Sequence, residues 1–230
     1  MAGGEQGDDP GEGGLDWRDG IVPVSTRFDD PYFSLADGLA ETRHVFLAGN
    51  GLPGRLRDGF HVAELGFGTG LNLLALWLCW QGAGAAGELR FTSFEAYPLR
   101  ADEMARALAA FPEAAAVAGP MLAQWAEGAR VITLPGLRAE VIVGDARQTL
   151  PAWQGRADAW FLDGFSPAKN PELWSEELMA AVAAHTVAGG SFATYTAAGH
   201  VRRALQAAGF AVERRAGHGR KRHMAAGQLA

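Results

Sequence analysis

From residue 60 onward the hydrophobic positions alternate between short, nearly continuous apolar runs and longer stretches in which apolar residues return with helical spacing. FHVAEL (60–65), LRFTSFE (89–95), AEVIVGD (139–145), ADAWFLD (157–163) and GSFATYT (190–196) belong to the first kind, and each suits a strand covered on both faces. Helices are predicted between them: from about Leu71 to Trp80, over LRADEMARALAAF up to a stop at Pro112, and at about 146–152, 171–187 and 198–208, ahead of a last strand near FAVERR. Such alternation predicts a mostly parallel sheet wrapped by helices, a doubly wound α/β domain. Two pieces fall outside it: a lead-in from Leu15 to Gly54, and an insertion from about Val117 to Leu137 containing MLAQWA and VITL. No internal repeat is visible.

The opening MAGGEQGDDPGEGG has no large apolar residue after Met1, so residues 1–14 are expected to form a disordered tail. Residues 15–230 read as a single domain, 15–54 its lead-in and 60–230 its core, because 230 residues at 48 % hydrophobic composition allow one substantial core. Neither a basic-then-apolar leader nor a run of about 20 apolar residues occurs, so the expected location is the cytoplasm, with no membrane partner. Cys79, alone in LLALWLCW, reads as a packing residue, and a lone cysteine excludes a disulfide framework. The six histidines show no metal spacing, so no metal is expected; His44 and His185 read as surface or core residues.

The net charge of −6 hides an asymmetry: Arg202, Arg203, Arg214, Arg215, Arg220, Lys221 and Arg222 face the single acid Glu213 near the end of the chain. Such a run is either a solvated face or an electrostatic footprint for phosphates.

In doubly wound sheets ligands bind beyond the carboxyl ends of the strands, where Glu64, Glu95, Asp145 and Asp163 terminate four predicted strands. After the first, ELGFGTGLN places Gly66, Gly68 and Gly70 in a G-x-G-x-G turn rather than G-x-G-x-x-G. Alone it could be a plain tight turn. An acid two residues before the first glycine would repel a pyrophosphate and attract an ammonium, which points to S-adenosylmethionine. Gly66, Phe67, Gly68, Thr69, Gly70 and Asn72 are accordingly assigned to the cofactor with Glu64. Glu95 is placed to accept both ribose hydroxyls. Asp145, followed by Ala146, is placed to accept from the adenine amino group while capping the next helix. These acids and the loop make a class I methyltransferase the leading reading.

ELGFGTGLN, SFEAYPL, WFLDGFSPAKNPELW, TAAGHVRRALQAAGF and GHGRKRHM, in that order, closely resemble the MnmC-type tRNA wobble-uridine methyltransferase domains, whose stand-alone form is called MnmD. The lead-in PVSTRFDDPYFSLADGLAETRHVFLAGNGL is similar to the opening of that family, and the likeness runs nearly from Leu15 to Gly227. The resemblance implies a Rossmann-like class I fold and S-adenosylmethionine-dependent N-methylation of 5-aminomethyl-(2-thio)uridine in tRNA, giving the 5-methylaminomethyl form. Two-domain members carry an FAD-dependent oxidase as well. No second dinucleotide loop occurs here, so no FAD is expected in this chain, and an oxidase encoded elsewhere or the upstream wobble-uridine enzymes become expected partners.

Methyl transfer to an amine needs a neutral nitrogen held in line, and Asp163 is the candidate catalytic residue, accepting one N–H and taking or relaying the surplus proton. Gly164 lets the chain turn, while Pro167 and Pro171 restrict the loop. Phe165 is expected to wall the uracil, with Tyr32 and Phe33 as further candidates, and Lys169 to meet a phosphate. Arg202, Arg203, Arg220, Lys221 and Arg222 are expected to hold the backbone of the anticodon stem-loop. A small-molecule amine N-methyltransferase and a non-catalytic nucleotide-binding module remain the alternatives.

Overall fold

In the computed structural model, which describes residues 14–34, 37–219 and 221–230, the lead-in begins with three short strands. These are β1 (Leu15–Arg18), β2 (Val22–Ser25) and β3 (Asp30–Pro31), paired antiparallel in a sheet of their own. A short helix α1 (Gly38–Thr42) continues through one π turn (Arg43–Leu47) and one 3-10 turn (Ala48–Asn50). The expected tail lies outside the described residues except for Gly14.

The core then runs β4 (His61–Leu65), α2 (Leu71–Gly82), β5 (Leu89–Glu95), α3 (Ala101–Leu108), α4 (Pro112–Ala126), β6 (Val131–Leu134) and β7 (Leu137–Val143). It continues as α5 (Ala146–Ala152), β8 (Ala157–Leu162), a 3-10 turn (Pro171–Trp174), α6 (Glu176–Ala184), β9 (Thr186–Thr194), α7 (Gly199–Ala207), β10 (Phe210–Ala216) and β11 (His223–Leu229). The large sheet has the order β10-β11-β9-β8-β4-β5-β7-β6, with β4 parallel to both neighbours. Chain order reverses between β4 and β8, so the crevice such sheets use opens at the carboxyl ends of these two strands.

Burial explains why these elements form. All six residues of β8 are buried, as a strand with helices on both faces requires. Seven consecutive residues of α2, Leu71 to Trp77, are buried, so this helix has no polar stripe to show solvent. On its side of the sheet Leu73, Leu74 and Leu76 pack with Val45, Phe46 and Met121. The other side is filled from α5, α6 and α7 by Leu150, Leu178, Met179, Val201 and Leu205.

Four details differ from the sequence expectation. VITL is not outside the sheet: as β6 it pairs antiparallel with β7 and extends the edge. Pro112 does not only stop a helix but opens the next at its first turn, where the missing N–H costs nothing. The helix expected over 171–187 is interrupted at Ser175, which caps α6 by accepting from the Leu178 amide at 3.2 Å. A further strand, β11, slots antiparallel between β9 and β10. Its sequence HMAAGQL is dominated by small residues, so strand propensity barely marks it. A Cβ at Gly227 would come within 2.5 Å of the Ala211 carbonyl, so only glycine fits there.

Asn50 fastens the lead-in to the core. Its Nδ2 donates to the carbonyls of Phe46 at 3.0 Å and Trp160 at 3.1 Å, and its Oδ1 accepts from Ser191 Oγ at 2.6 Å. Asn50→Leu strands these buried groups and is expected to cost about 2–4 kcal/mol, read as a lowered urea midpoint with unchanged m-value.

Candidate active site

The turn after β4 and the turn after β8 touch. Gly66 has φ +88, and a Cβ on it would lie 3.0 Å from the Asp163 carbonyl, so glycine is required both for conformation and for the approach. Gly68, at φ +52, directs its N–H to Glu95 Oε2 at 2.9 Å, while the Tyr97 amide donates to Glu95 Oε1 at 2.7 Å. Burial pushes the Glu95 carboxyl above its ordinary value, against those donors. Beyond these turns lies a cavity of about 1000 Å³, large enough for a nucleoside-sized ligand together with a second group.

At its floor is a chain of side chains. Thr42 Oγ1 donates to Asn72 Oδ1 at 2.8 Å, and Asn72 Nδ2 is shared between Glu64 Oε1 and Asp163 Oδ2, each at 2.8 Å. Ser93 Oγ donates to the other Glu64 oxygen at 2.8 Å. Burial, reinforced by the Asp163 charge, holds the Glu64 carboxyl well above the usual range. Burial likewise raises Asp163 to about 6, opposed by the Asn72 hydrogen bond and the Lys221 charge, with Glu41 pushing it further up.

Phe165, Tyr97 and the lead-in build an aromatic wall. Phe28 stacks on Phe165 at 4.8 Å between centroids, Tyr32 meets Phe165 edge-on at 5.0 Å, and Tyr97 lies 5.9 Å from Phe28. Arg27 sits over the Tyr97 ring at 4.6 Å. The loop after β8 is clamped on both sides: Trp174 Nε1 donates to the Phe165 carbonyl at 2.9 Å and the Ser166 amide to Asp30 Oδ2 at 2.7 Å.

The cavity wall brings together most of the residues expected from the sequence: Gly66, Phe67, Gly68, Thr69, Asn72, Glu95, Asp145 and Ala146 on one side, and Tyr32, Phe33, Phe165, Asp163 and Lys221 on the other. Asp145 caps α5 through the Arg147 amide at 2.9 Å, and its pairing with the Arg147 guanidinium holds its carboxyl below the usual range.

Others stand elsewhere. Glu64 is wholly buried beneath the wall with both oxygens occupied, so Asn72, not Glu64, meets the cavity. Gly70 caps α2 behind the loop in left-handed conformation, and Pro167 lies off the cavity. Lys169 is taken up by Asp29, its Nζ 2.7 Å from Oδ2, so its ammonium ties the loop to the lead-in instead of waiting for a phosphate. Arg202 Nε donates to the Ala197 carbonyl at 3.2 Å. Arg203 and Arg222 are exposed, and Arg220 lies outside the described residues.

Sequence reasoning gave no role to Phe28, Glu41, Thr42, Tyr97 or Tyr195, all on the wall. The signal for Glu41 is an acid on the inward side of a short helix, where Leu39 and Thr42 are also buried. Among the described residues, no group of three or more His, Cys, Asp or Glu side chains could hold a metal ion, and no helix is long and apolar enough to cross a membrane.

The sheet order, the glycine turn after its central strand and the cavity at the point of strand reversal define a class I S-adenosylmethionine-dependent methyltransferase. The cradle fits that cofactor, having glycines where the backbone must come close and a buried carboxylate beside them. A family described as S-adenosyl-L-methionine-dependent methyltransferases matches residues 112–230, and the chain belongs to it. It is 52 % identical over 227 residues to the tRNA 5-methylaminomethyl-2-thiouridine biosynthesis bifunctional protein MnmC of a Caulobacter species, covering 93 % of this chain and 38 % of that protein. With the protein of the same name from Caulobacter vibrioides the identity is 51 %, covering 90 % of this chain and 36 % of the relative. The chain thus spans well under half the length of these curated relatives. The crystal structure of MnmC2 from Aquifex aeolicus superposes with a TM-score of 0.75 at 26 % identity, covering 96 % of this chain and 72 % of that one.

Proposed function

We propose that this chain methylates the exocyclic amine of 5-aminomethyl-(2-thio)uridine at the wobble position of tRNA, giving 5-methylaminomethyl-2-thiouridine. The observation that carries this reading is the buried carboxylate of Asp163, pushed up to about 6 by burial, set in the same cavity as an aromatic wall of Phe28, Tyr32 and Phe165. The MnmC relatives, named for tRNA 5-methylaminomethyl-2-thiouridine biosynthesis, support the same product. Residues 15–230 act as one unit, because the lead-in supplies part of that wall. The reaction belongs in the cytoplasm, where tRNA is found.

When bound, S-adenosylmethionine supplies a methyl group on a positively charged sulfur. Glu95 would hold its ribose hydroxyls and Asp145 its adenine amino group, while the backbone at Gly66 and Gly68 leaves room for close approach. Asn72 reaches the cavity in place of Glu64 and fixes the Asp163 carboxylate. Asp163 accepts an N–H of the amine, holds the lone pair in line and removes the surplus proton. The aromatic wall takes the uracil, which an anticodon loop can splay out for stacking. A free primary amine is required, so an FAD-dependent oxidase or the upstream wobble-uridine enzymes must expose it first.

Incubation with S-adenosylmethionine and tRNA bearing 5-aminomethyl-2-thiouridine should add one methyl to that nucleoside, read by mass spectrometry, and none to a panel of small amines. Transfer to the small amines instead would move the acceptor to another class. Arg203 and Arg222 are exposed and available for the RNA backbone. Replacing both by Ser should lower the slope of log affinity for tRNA against log salt by about 1–2, and an unchanged slope removes them from the interface.

A further inference from the structure

Glu41 is 8 % exposed, at the cavity wall, and its Oε1 is buried without a hydrogen bond. The counter-charge it has is Lys221 Nζ, 2.7 Å away, at an angle that makes the contact an ion pair and not a directed hydrogen bond. The same ammonium lies 3.9 Å from the centroid of the Tyr195 ring. A carboxylate and an aromatic face converging on one point form a cation site. Two chains of contacts put this point beside Asp163. Tyr195 Oη donates to the carbonyl of Gly164, the next residue, at 2.7 Å, and Thr42, adjacent to Glu41, holds Asn72, which holds Asp163.

Lys221 reaches this site from the turn between β10 and β11, with its side chain 43 % exposed. The hairpin does not need it there: Gly217 N donates to the Arg222 carbonyl at 3.1 Å and Lys221 N to the His218 carbonyl at 3.0 Å, both through backbone. The ammonium therefore occupies a site within the cavity from a segment that backbone bonds already hold together.

We propose that Glu41 and the Tyr195 ring form a subsite for the ammonium group of the incoming acceptor, and that Lys221 fills it until the acceptor displaces it. This rests on the reading of an aminomethyl acceptor and assigns the groups that first recognise its charged form. Alkyl amines are mostly protonated near neutral pH, so a site for the cation beside Asp163 captures the prevailing form and delivers it to the group that removes its proton. Displacement frees Lys221 at the cavity mouth, where an RNA backbone would pass. Selectivity follows as well: an acceptor without a positive charge cannot evict Lys221, and an N-acylated or carboxylated side chain would meet Glu41 unfavourably.

The test uses the full chain saturated with S-adenosylhomocysteine and titrated calorimetrically with 5-aminomethyluridine and, separately, with benzylammonium. Lys221→Met should tighten both about three- to tenfold, since the occupied fraction of the site no longer taxes binding. Glu41→Gln should weaken both at least about tenfold, as expected for loss of a charge-assisted contact, with S-adenosylhomocysteine affinity unchanged. Equal or undetectable binding in wild type, Lys221→Met and Glu41→Gln overturns the subsite, as does weaker binding by Lys221→Met. Lys221 is half-exposed, so its variant folds and reports even if Glu41→Gln does not. Should the cations bind as described while no tRNA is methylated, the tRNA reading fails and the subsite stands.

Discussion

An Asp163→Asn variant is expected to bind S-adenosylmethionine within about threefold of the wild type and to lose about 10²- to 10⁴-fold in turnover. Asparagine keeps an oxygen for the Asn72 amide, so the floor of the site stays assembled while the proton acceptor is lost. Wild-type turnover should fall as pH drops through about 6, because the carboxyl is protonated below that point, and the residual rate of the variant should lack this limb. Stability moves the opposite way. With the folded pKa raised from 3.8 to about 6, the folded state holds the proton more tightly, so ionisation destabilises it progressively as pH rises through this interval. The penalty is complete above about pH 6 and, for a shift of this size, on the order of 2–3 kcal/mol. Asp163→Asn should therefore melt higher than wild type at pH 8 and show no such gain at pH 3.5. Undiminished methylation would remove Asp163 from the mechanism; diminished methylation with a raised melting temperature separates loss of chemistry from loss of fold.

The second large effect belongs to Asn72. Asn72→Leu is nearly isosteric but leaves Glu64 Oε1 and Asp163 Oδ2 without their shared donor and Thr42 Oγ1 without its acceptor. Buried polar groups stranded together make an expected cost of about 3–5 kcal/mol in urea denaturation. The Asn72 bond also holds the Asp163 pKa down, so in the protein that remains folded the acid limb of the pH–rate profile should move above its wild-type position near 6. A shifted limb is what a purely structural asparagine would not produce, and an unmoved one would leave it only a packing role.

The order of the core was legible because its signals are local. The strand LRFTSFE and the helix of residues 146–152 fall where their apolar spacing puts them, and four strand-end acids mark the carboxyl edge of the sheet. β11 was hidden because Ala225, Ala226 and Gly227 are chosen for the narrow gap between β9 and β10, a tertiary requirement with no local signature. In the site, residue types were easier to anticipate than partners. Glu64 is the penultimate residue of its strand, and strand geometry alone does not reveal that Ser93 on the neighbouring strand and Asn72 on the following helix consume both its oxygens. The charges of Lys169 and Lys221 read as free from sequence because Asp29 and Glu41, which bind them, are 140 and 180 residues earlier by numbering. A basic run thus contains residues of different kinds: exposed arginines, and a lysine that faces inward.

The way the lead-in is fastened has a consequence for how such an enzyme can diversify. Glu95, Asp145 and the glycine turn stand on the core, whereas Phe28, Tyr32 and Glu41 come from the segment that precedes β4. Asp30 and Asp29 latch that segment to the loop carrying Asp163. One cavity is therefore walled by two separate stretches of chain that meet at this latch. Changes confined to the segment before β4 can therefore reshape the Phe28, Tyr32 and Glu41 side of the cavity while the sheet carrying Glu95 and Asp145 is inherited intact.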